Sequence, residues 1–279
     1  CQDILLRIWE PNDFAYRGQE GGFMLDELPS AVDAIRTLDG IRIAGVTAFP
    51  CLLFNYETGS VEATPNFNSL LRGAHVLRDE LGIEIRQINA PSVTCAGMVQ
   101  LLAERGATHG EPGSALTGQT PLHAVSDEPE LPAMVYASEI ASVRDGRAYC
   151  YGGGFYARSR VAHALVSKDP EHLELADVEP LPAESIDYYG TLRLPDSVHP
   201  RVGDTVLFAF RSQIFVGRSQ VAAVGGVACR RPCVLGIADA TGNILGEDFL
   251  PLGSEHAPRF VEEVWKSYVA KRESDPVTI

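Results

Sequence analysis

The chain has 279 residues, 45% of them apolar, and a formal net charge of −14. That apolar share supports one large core or two ordinary ones. The acidic balance, with no basic patch interleaved with aromatics, argues against a nucleic-acid partner, and no apolar run reaches the roughly 18 residues of a membrane-spanning helix.

The first 125 residues read as strands alternating with helices. Ile4 to Trp9 is an apolar strand pattern that follows the first residue, Cys1, almost at once. The expectation is therefore a chain whose beginning lies upstream. Asp26 to Leu38 reads as a helix, with Leu28, Val32, Ile35 and Leu38 on one face. Ile41 to Phe49 is the next strand, and Asn66 to Leu81 the next helix, with Leu70, Leu71, Ala74 and Leu77 at helical spacing. Ile83 to Ile88 is again a strand pattern and Ala96 to Arg105 a helix. Such alternation means a parallel sheet or a barrel. No G-x-G-x-x-G follows the first strand, which weighs against a dinucleotide fold.

Two turns in this half carry chemistry. Asn89-Ala-Pro-Ser-Val-Thr-Cys95 follows one strand, and His109-Gly-Glu-Pro-Gly-Ser-Ala-Leu-Thr-Gly118 follows a short strand after the next helix. Small polar residues and glycines in such turns expose backbone N–H groups able to cradle a phosphate. Glu111 stands inside the second turn. A carboxylate beside a phosphate cradle serves a cationic atom of the same ligand, and pyridoxal phosphate has both groups. The competing reading of Glu111 is an exposed loop carboxylate. Pyridoxal phosphate enzymes also need a Schiff-base lysine. The three lysines are Lys168 in a polar loop and Lys266 and Lys271 on a charged terminal helix, none of them at the end of an apolar strand.

Composition changes near Ser126-Asp-Glu-Pro-Glu-Leu-Pro132. The expected division is a β/α domain over 1–125 and a β-rich domain over 126–279. Expected strands in the latter are Met134 to Val143, Arg147 to Tyr151, Val161 to Val166, Thr205 to Phe210, Ser219 to Val224 and Val234 to Ala238, with a turn at Val202-Gly-Asp-Thr205. The chain closes on an amphipathic helix with Phe260, Val261, Val264, Trp265, Tyr268 and Val269 as its stripe. Six cysteines, Cys1, Cys51, Cys95, Cys150, Cys229 and Cys233, lie mostly in apolar runs, as free thiols do. The one close pair, Cys229 and Cys233, matches no common zinc spacing, so no metal is expected. No secretory leader is read, and a reducing, cytoplasmic setting is the expectation.

Four segments, in this order and spacing, resemble the alanine racemase-like (fold type III) pyridoxal phosphate enzymes, and among them the YhfX-like group of amino-acid racemases. They are Tyr16-Arg-Gly-Gln-Glu-Gly-Gly-Phe23, Gly45-Val-Thr-Ala-Phe-Pro-Cys51, His109-Gly-Glu-Pro-Gly113 and Tyr149-Cys-Tyr-Gly-Gly-Gly-Phe-Tyr156. The resemblance covers nearly the whole chain. It implies the C-terminal portion of a (β/α)8 TIM-type barrel, then a β-rich domain and a terminal helix, acting on an amino acid as a homodimer. The family's lysine ends the first barrel strand, which would lie on the order of 100 residues upstream of Cys1 by barrel size.

The resemblance also assigns roles. Glu111 matches the glutamate that related decarboxylases set on the pyridine nitrogen, where alanine racemases use arginine. Gly113 and Ser114, with Ser92 and Thr94, would hold the phosphate. Tyr151 matches the racemase tyrosine that serves as one of two bases, acting on the cofactor of the partner subunit; the racemase aspartate of that motif is Gly153 here. Phe49 stands where many relatives stack a histidine. Glu20 stands near a racemase arginine, which argues against alanine as the substrate. Arg211 and Arg218 are candidates for the substrate carboxylate, because a guanidinium binds one through two parallel bonds. The first reading is an amino-acid racemase or epimerase. The alternatives are a lyase or decarboxylase on the same fold, or a degenerate non-catalytic fragment.

Overall fold

A computed structural model of the chain describes residues 1–152, 161–169, 171–182, 188–209 and 219–253, with Glu262 and Lys266. The chain divides into two compact units, Cys1–Val135 with Ala209–Arg211, and Tyr136–Phe208 with Ser212–Ile279.

The first unit runs β1 (Gln2–Arg7), α1 (Leu28–Arg36), β2 (Ile41–Thr47), β3 (Leu52–Asn55), β4 (Ser60–Ala63), α2 (Pro65–His75), β5 (Gln87–Asn89) and α3 (Ala96–Glu104). Strands β1, β2 and β5 form a parallel sheet in that order. A parallel bridge from Asn89 to His109 adds one more position beside β5. Leu6 faces Val46 across β1 and β2, and these side chains join Ile8, Leu28, Val32, Phe67, Leu70 and Leu77 in one core. The helices thus cover this face of the sheet, and Arg7, Thr47 and Asn89, in register with one another, point to the other face. Gly45 is needed where β2 meets β5, because a Cβ there would lie 1.8 Å from the Gln87 carbonyl oxygen.

In this unit the sequence-based reading departs most in two places. Of the expected strand Ile83 to Ile88 only the end pairs, as β5, while Ile83 and Ile85 pack on the core. Their alternation reports burial and not a ladder. The β3–β4 hairpin was not anticipated. Its turn is closed by the Asn55 side chain, which accepts from the Glu57 N–H at 2.9 Å, and by Gly59 at φ +66°.

The second unit runs β6 (Tyr136–Arg144), β7 (Arg147–Tyr151), β8 (His163–Asp169), β9 (His172–Glu179), β10 (Tyr189–Arg193), β11 (Thr205–Phe208), β12 (Val221–Gly225) and β13 (Cys233–Ala238). Six of these strands close an antiparallel barrel in the order β10-β7-β6-β11-β8-β9, and β12 pairs with β13 as a separate ribbon. Asp145 and Gly146, both at positive φ, make the tight turn between β6 and β7. Ala148, Cys150, Ala164, Val166, Leu192, Val206 and Phe208 alternate along their strands and fill the interior. Strands β9 and β10 escaped the sequence reading. In β9, Leu173 and Leu175 are exposed at 50% and 56% while the small Ala176 is buried, so residue size misreports which face is inside. The expected terminal apolar stripe lies outside the described residues; Glu262 and Lys266 pair there at 2.6 Å.

Candidate active site at the carboxyl ends of the parallel strands

In open parallel sheets and in barrels, ligands bind where the strands end at their carboxyl side. At that edge of the first unit, the strands deliver a row of polar side chains. Arg7 on β1 is in register with Thr47 on β2, and Thr47 with Asn89 on β5. Asn89 is buried and donates from Nδ2 to Thr47 Oγ1 at 3.2 Å and to Glu111 Oε1 at 2.6 Å. Glu111 itself is exposed. It is held at a second point, because its N–H donates to Thr94 Oγ1 at 3.1 Å.

The two chemistry-bearing turns therefore meet. Thr94 is buried against Gly110, where a Cβ would lie 2.7 Å from Thr94 Cγ2. The small residue lets the His109–Gly113 segment lie against the Ser92–Cys95 turn. Ser92 and Val93 are both at positive φ, 87° and 47°, a conformation that non-glycine residues rarely take and that clusters at functional turns. Ser92 is half-buried, Gly113 is exposed with open space where a Cβ would be, and Ser114 starts a short 3-10 turn, Ser114–Thr117.

Several groups near the site are spoken for. The α3 N-terminus is capped from the segment after it: the Ala96 N–H donates to Glu130 Oε1 at 2.6 Å, and His123 lies 3.4 Å from the same carboxylate. Burial opposes the charge on Glu130, yet the Ala96 amide and His123 hold its carboxyl below the usual range. Burial, with the Asp13 and Glu111 charges adding, pushes the Cys51 thiol up to about 12, which makes it no nucleophile. Phe49 lies 6.0 Å from the Tyr16 ring, centroid to centroid, and Tyr16 5.0 Å from Phe14.

In the second unit, Tyr151 ends β7, is 49% exposed, and faces Tyr189 of β10 with ring centroids 5.9 Å apart. Arg211 and Arg218 lie outside the described residues, as do Gly153 to Tyr156 of the tyrosine motif. Among the described residues no three His, Cys, Asp or Glu side chains group as metal ligands, and no helix is long and apolar enough to cross a membrane.

Sequence reasoning singled out Glu111, Thr94, Ser92, Gly113 and Ser114 as candidates and attached no role to Arg7, Thr47 or Asn89, which the structure brings into the same row. Each of these three is the last residue of its observed strand, whereas the sequence pattern ran on past Arg7 to Trp9 and past Thr47 to Phe49.

Comparison with known proteins extends these observations. Residues 135–234 match the family described as YhfX-like, C-terminal domain. Over 250 residues the chain is 42% identical to the protein YhfX of Escherichia coli (strain K12), an alignment that takes in 88% of this chain and 62% of that protein. Among solved structures, an alanine racemase of Clostridium difficile 630 is similar at a TM-score of 0.43 with 17% identity, over 77% of this chain and 56% of that one. An alanine racemase from Corynebacterium glutamicum is similar at 0.45 with 14% identity, over 74% and 56%. The chain thus spans less than two thirds of the length of these relatives.

Proposed function

From the premise that residues 135–234 match the YhfX-like C-terminal domain family, we propose that this chain belongs to a pyridoxal-phosphate-dependent amino-acid racemase or epimerase working by α-proton removal and return. The observation that carries the proposal is the carboxylate of Glu111, fixed by Asn89 and Thr94 at the carboxyl edge of a parallel sheet between two small-residue turns. In this reading the parallel sheet is part of a TIM-type barrel.

The donor set fits the cofactor at two of its three attachment points. Glu111 would accept from a protonated ring nitrogen and keep the proton there. Ser92, Ser114 and the Gly113 N–H would hold the phosphate, and Thr94 contributes by holding Glu111 in place. The third point, the Schiff-base lysine, is not offered by the parallel strands of this sequence. When bound, the cofactor supplies an electron sink for charge developing at the α-carbon. Tyr151 holds a proton on its phenol oxygen for the second face of the substrate, across a homodimer. Its exposure supports work outside its own unit.

Pyridoxamine phosphate needs no lysine, so its binding tests the reading directly. Titration into the chain should give saturable binding, and Glu111→Gln should weaken it about tenfold, the loss of one charge-assisted hydrogen bond. No saturable binding, or equal affinity in the variant, refutes the proposal.

One observation favours a second reading. A carboxylate at the ring nitrogen makes a strong electron sink, which suits a lyase or decarboxylase. Product analysis in protein carrying the lysine separates the two: inverted amino acid with solvent deuterium at the α-carbon, or loss of a substituent from it.

A further inference from the structure

Arg7 is the unexplained cation of the polar row. Its Nη2 donates to the Gln19 carbonyl at 2.6 Å. Its Nε is buried and has no hydrogen-bond partner among the described residues. The side chain as a whole is half-buried, and a buried N–H left without an acceptor is costly, which makes the guanidinium a place for an anionic ligand to complete. The other arginines of this sheet are satisfied. Arg42 lies 2.7 Å and Arg86 2.5 Å from the Asp3 carboxylate, at the opposite, amino end of the strands.

The setting of Arg7 is built rather than loose. Its carbonyl accepts the Phe23 N–H at 2.7 Å, and Trp9 N–H donates to the Phe23 carbonyl at 3.1 Å. Gly22 passes so close that a Cβ would lie 2.7 Å from the Arg7 carbonyl oxygen. The segment around Gln19 to Phe23 therefore clamps the end of β1. The row then reads, strand by strand, as a cation at Arg7, neutral hydrogen-bonding groups at Thr47 and Asn89, and an anion at Glu111. At roughly 4.8 Å per strand, the two charged ends stand about 14 Å apart at the backbone, with both side chains able to reach inward.

We propose that Arg7 anchors the carboxylate of the amino-acid substrate, so that the row binds one dipolar ligand: a protonated ring nitrogen at Glu111 and a carboxylate at Arg7. The inference rests on the cofactor reading of Glu111 and adds the substrate's end of the site. A guanidinium is suited to the task, since two parallel N–H bonds fix both the position and the plane of a carboxylate. Arg7 is then a determinant of specificity: the site takes substrates that keep a free α-carboxylate and rejects amines that lack one.

Two probes differ only in that group. Pyridoxamine phosphate lacks the carboxylate, and N-(5′-phosphopyridoxyl)-L-alanine carries it. Binding of each to the chain, followed by tyrosine and tryptophan fluorescence, should favour the alanine adduct by about tenfold or more, the range of a hydrogen-bonded charge pair. Arg7→Gln should remove that preference and leave pyridoxamine phosphate affinity within about twofold. Arg7→Lys, which keeps the charge and loses the fork, should retain part of it, and it serves as the measured variant if Arg7→Gln proves unfolded by its thermal transition. Equal affinity of the native chain for the two probes overturns the inference and leaves the cofactor reading standing. So does an undiminished preference in the folded variant. Failure of pyridoxamine phosphate to bind at all overturns both.

Discussion

Glu111 was legible in the sequence because a lone carboxylate in a glycine-rich turn is conspicuous without any knowledge of the fold. Asn89 was not. Its bond to Glu111 joins residues 22 positions apart and exists only because the bridge from Asn89 to His109 sets the two segments side by side. Arg7 was hidden for the same reason: a cation ending an apolar strand gains meaning from the register that lines it up with Thr47 and Asn89. A different residue shows how local bonding alone sets a titration. Asp239 accepts from the Asn243 side chain, the Thr241 hydroxyl and their two backbone N–H groups, and these bonds hold its carboxyl down at about 2. The folded value lies below the unfolded one of about 3.9. The turn's contribution is therefore complete above that unfolded value and is lost as pH falls toward about 2. Asp239→Asn should flatten the fall in thermal midpoint between about pH 4 and pH 2, and an unaltered acid limb in the variant counts against this assignment.

Among the described elements, α1, α2 and α3 stand where periodic apolar runs put them, and the departures fall on strands whose extent depends on a partner. Helix α2 follows from Leu70, Leu71 and Ala74 at helical spacing, and β7 was bounded at Arg147 and Tyr151 because an Asp-Gly turn precedes it. The contraction of Ile83–Ile88 to β5 has a different cause. The ladder available to it begins only at Gly45, the residue that lets the Gln87 carbonyl approach. This makes Gly45 the point on which the β2–β5 pairing depends, and with it the position of Asn89. Gly45→Ala should force those strands apart and destabilise the first unit by about 1–3 kcal/mol, as overpacking does. Urea denaturation measures this, and a change below about 0.5 kcal/mol would mean that the strands adjust without cost.

At the scale of the whole molecule, the change of composition near Ser126 led to an expected division after residue 125, the resemblance implied a β-rich second domain, and the two compact units of the structure part between Val135 and Tyr136. That strands of the second unit close on themselves was not readable, because closure depends on β9 meeting β10 and neither strand announced itself. The cysteines give a test that spans both units. Burial lifts the Cys51 thiol to about 12 and the Cys150 thiol to about 11, and Cys95 is raised by burial with the Glu128 and Glu130 charges behind it. Cys1, Cys229 and Cys233 are exposed. A chromogenic disulfide reagent at about pH 8 should therefore titrate three thiols quickly in the native protein and the other three only after denaturant is added. Six fast thiols would contradict the burial of both units. An open sheet can lose its outermost strand first and come apart from the side, like a fence from its end post. In the order β10-β7-β6-β11-β8-β9 every strand is an inner strand, so there is no end at which unzipping can begin. No strand can leave such a ring without breaking both of the ladders it makes, so the first strand to be lost costs two pairings where an edge strand costs one.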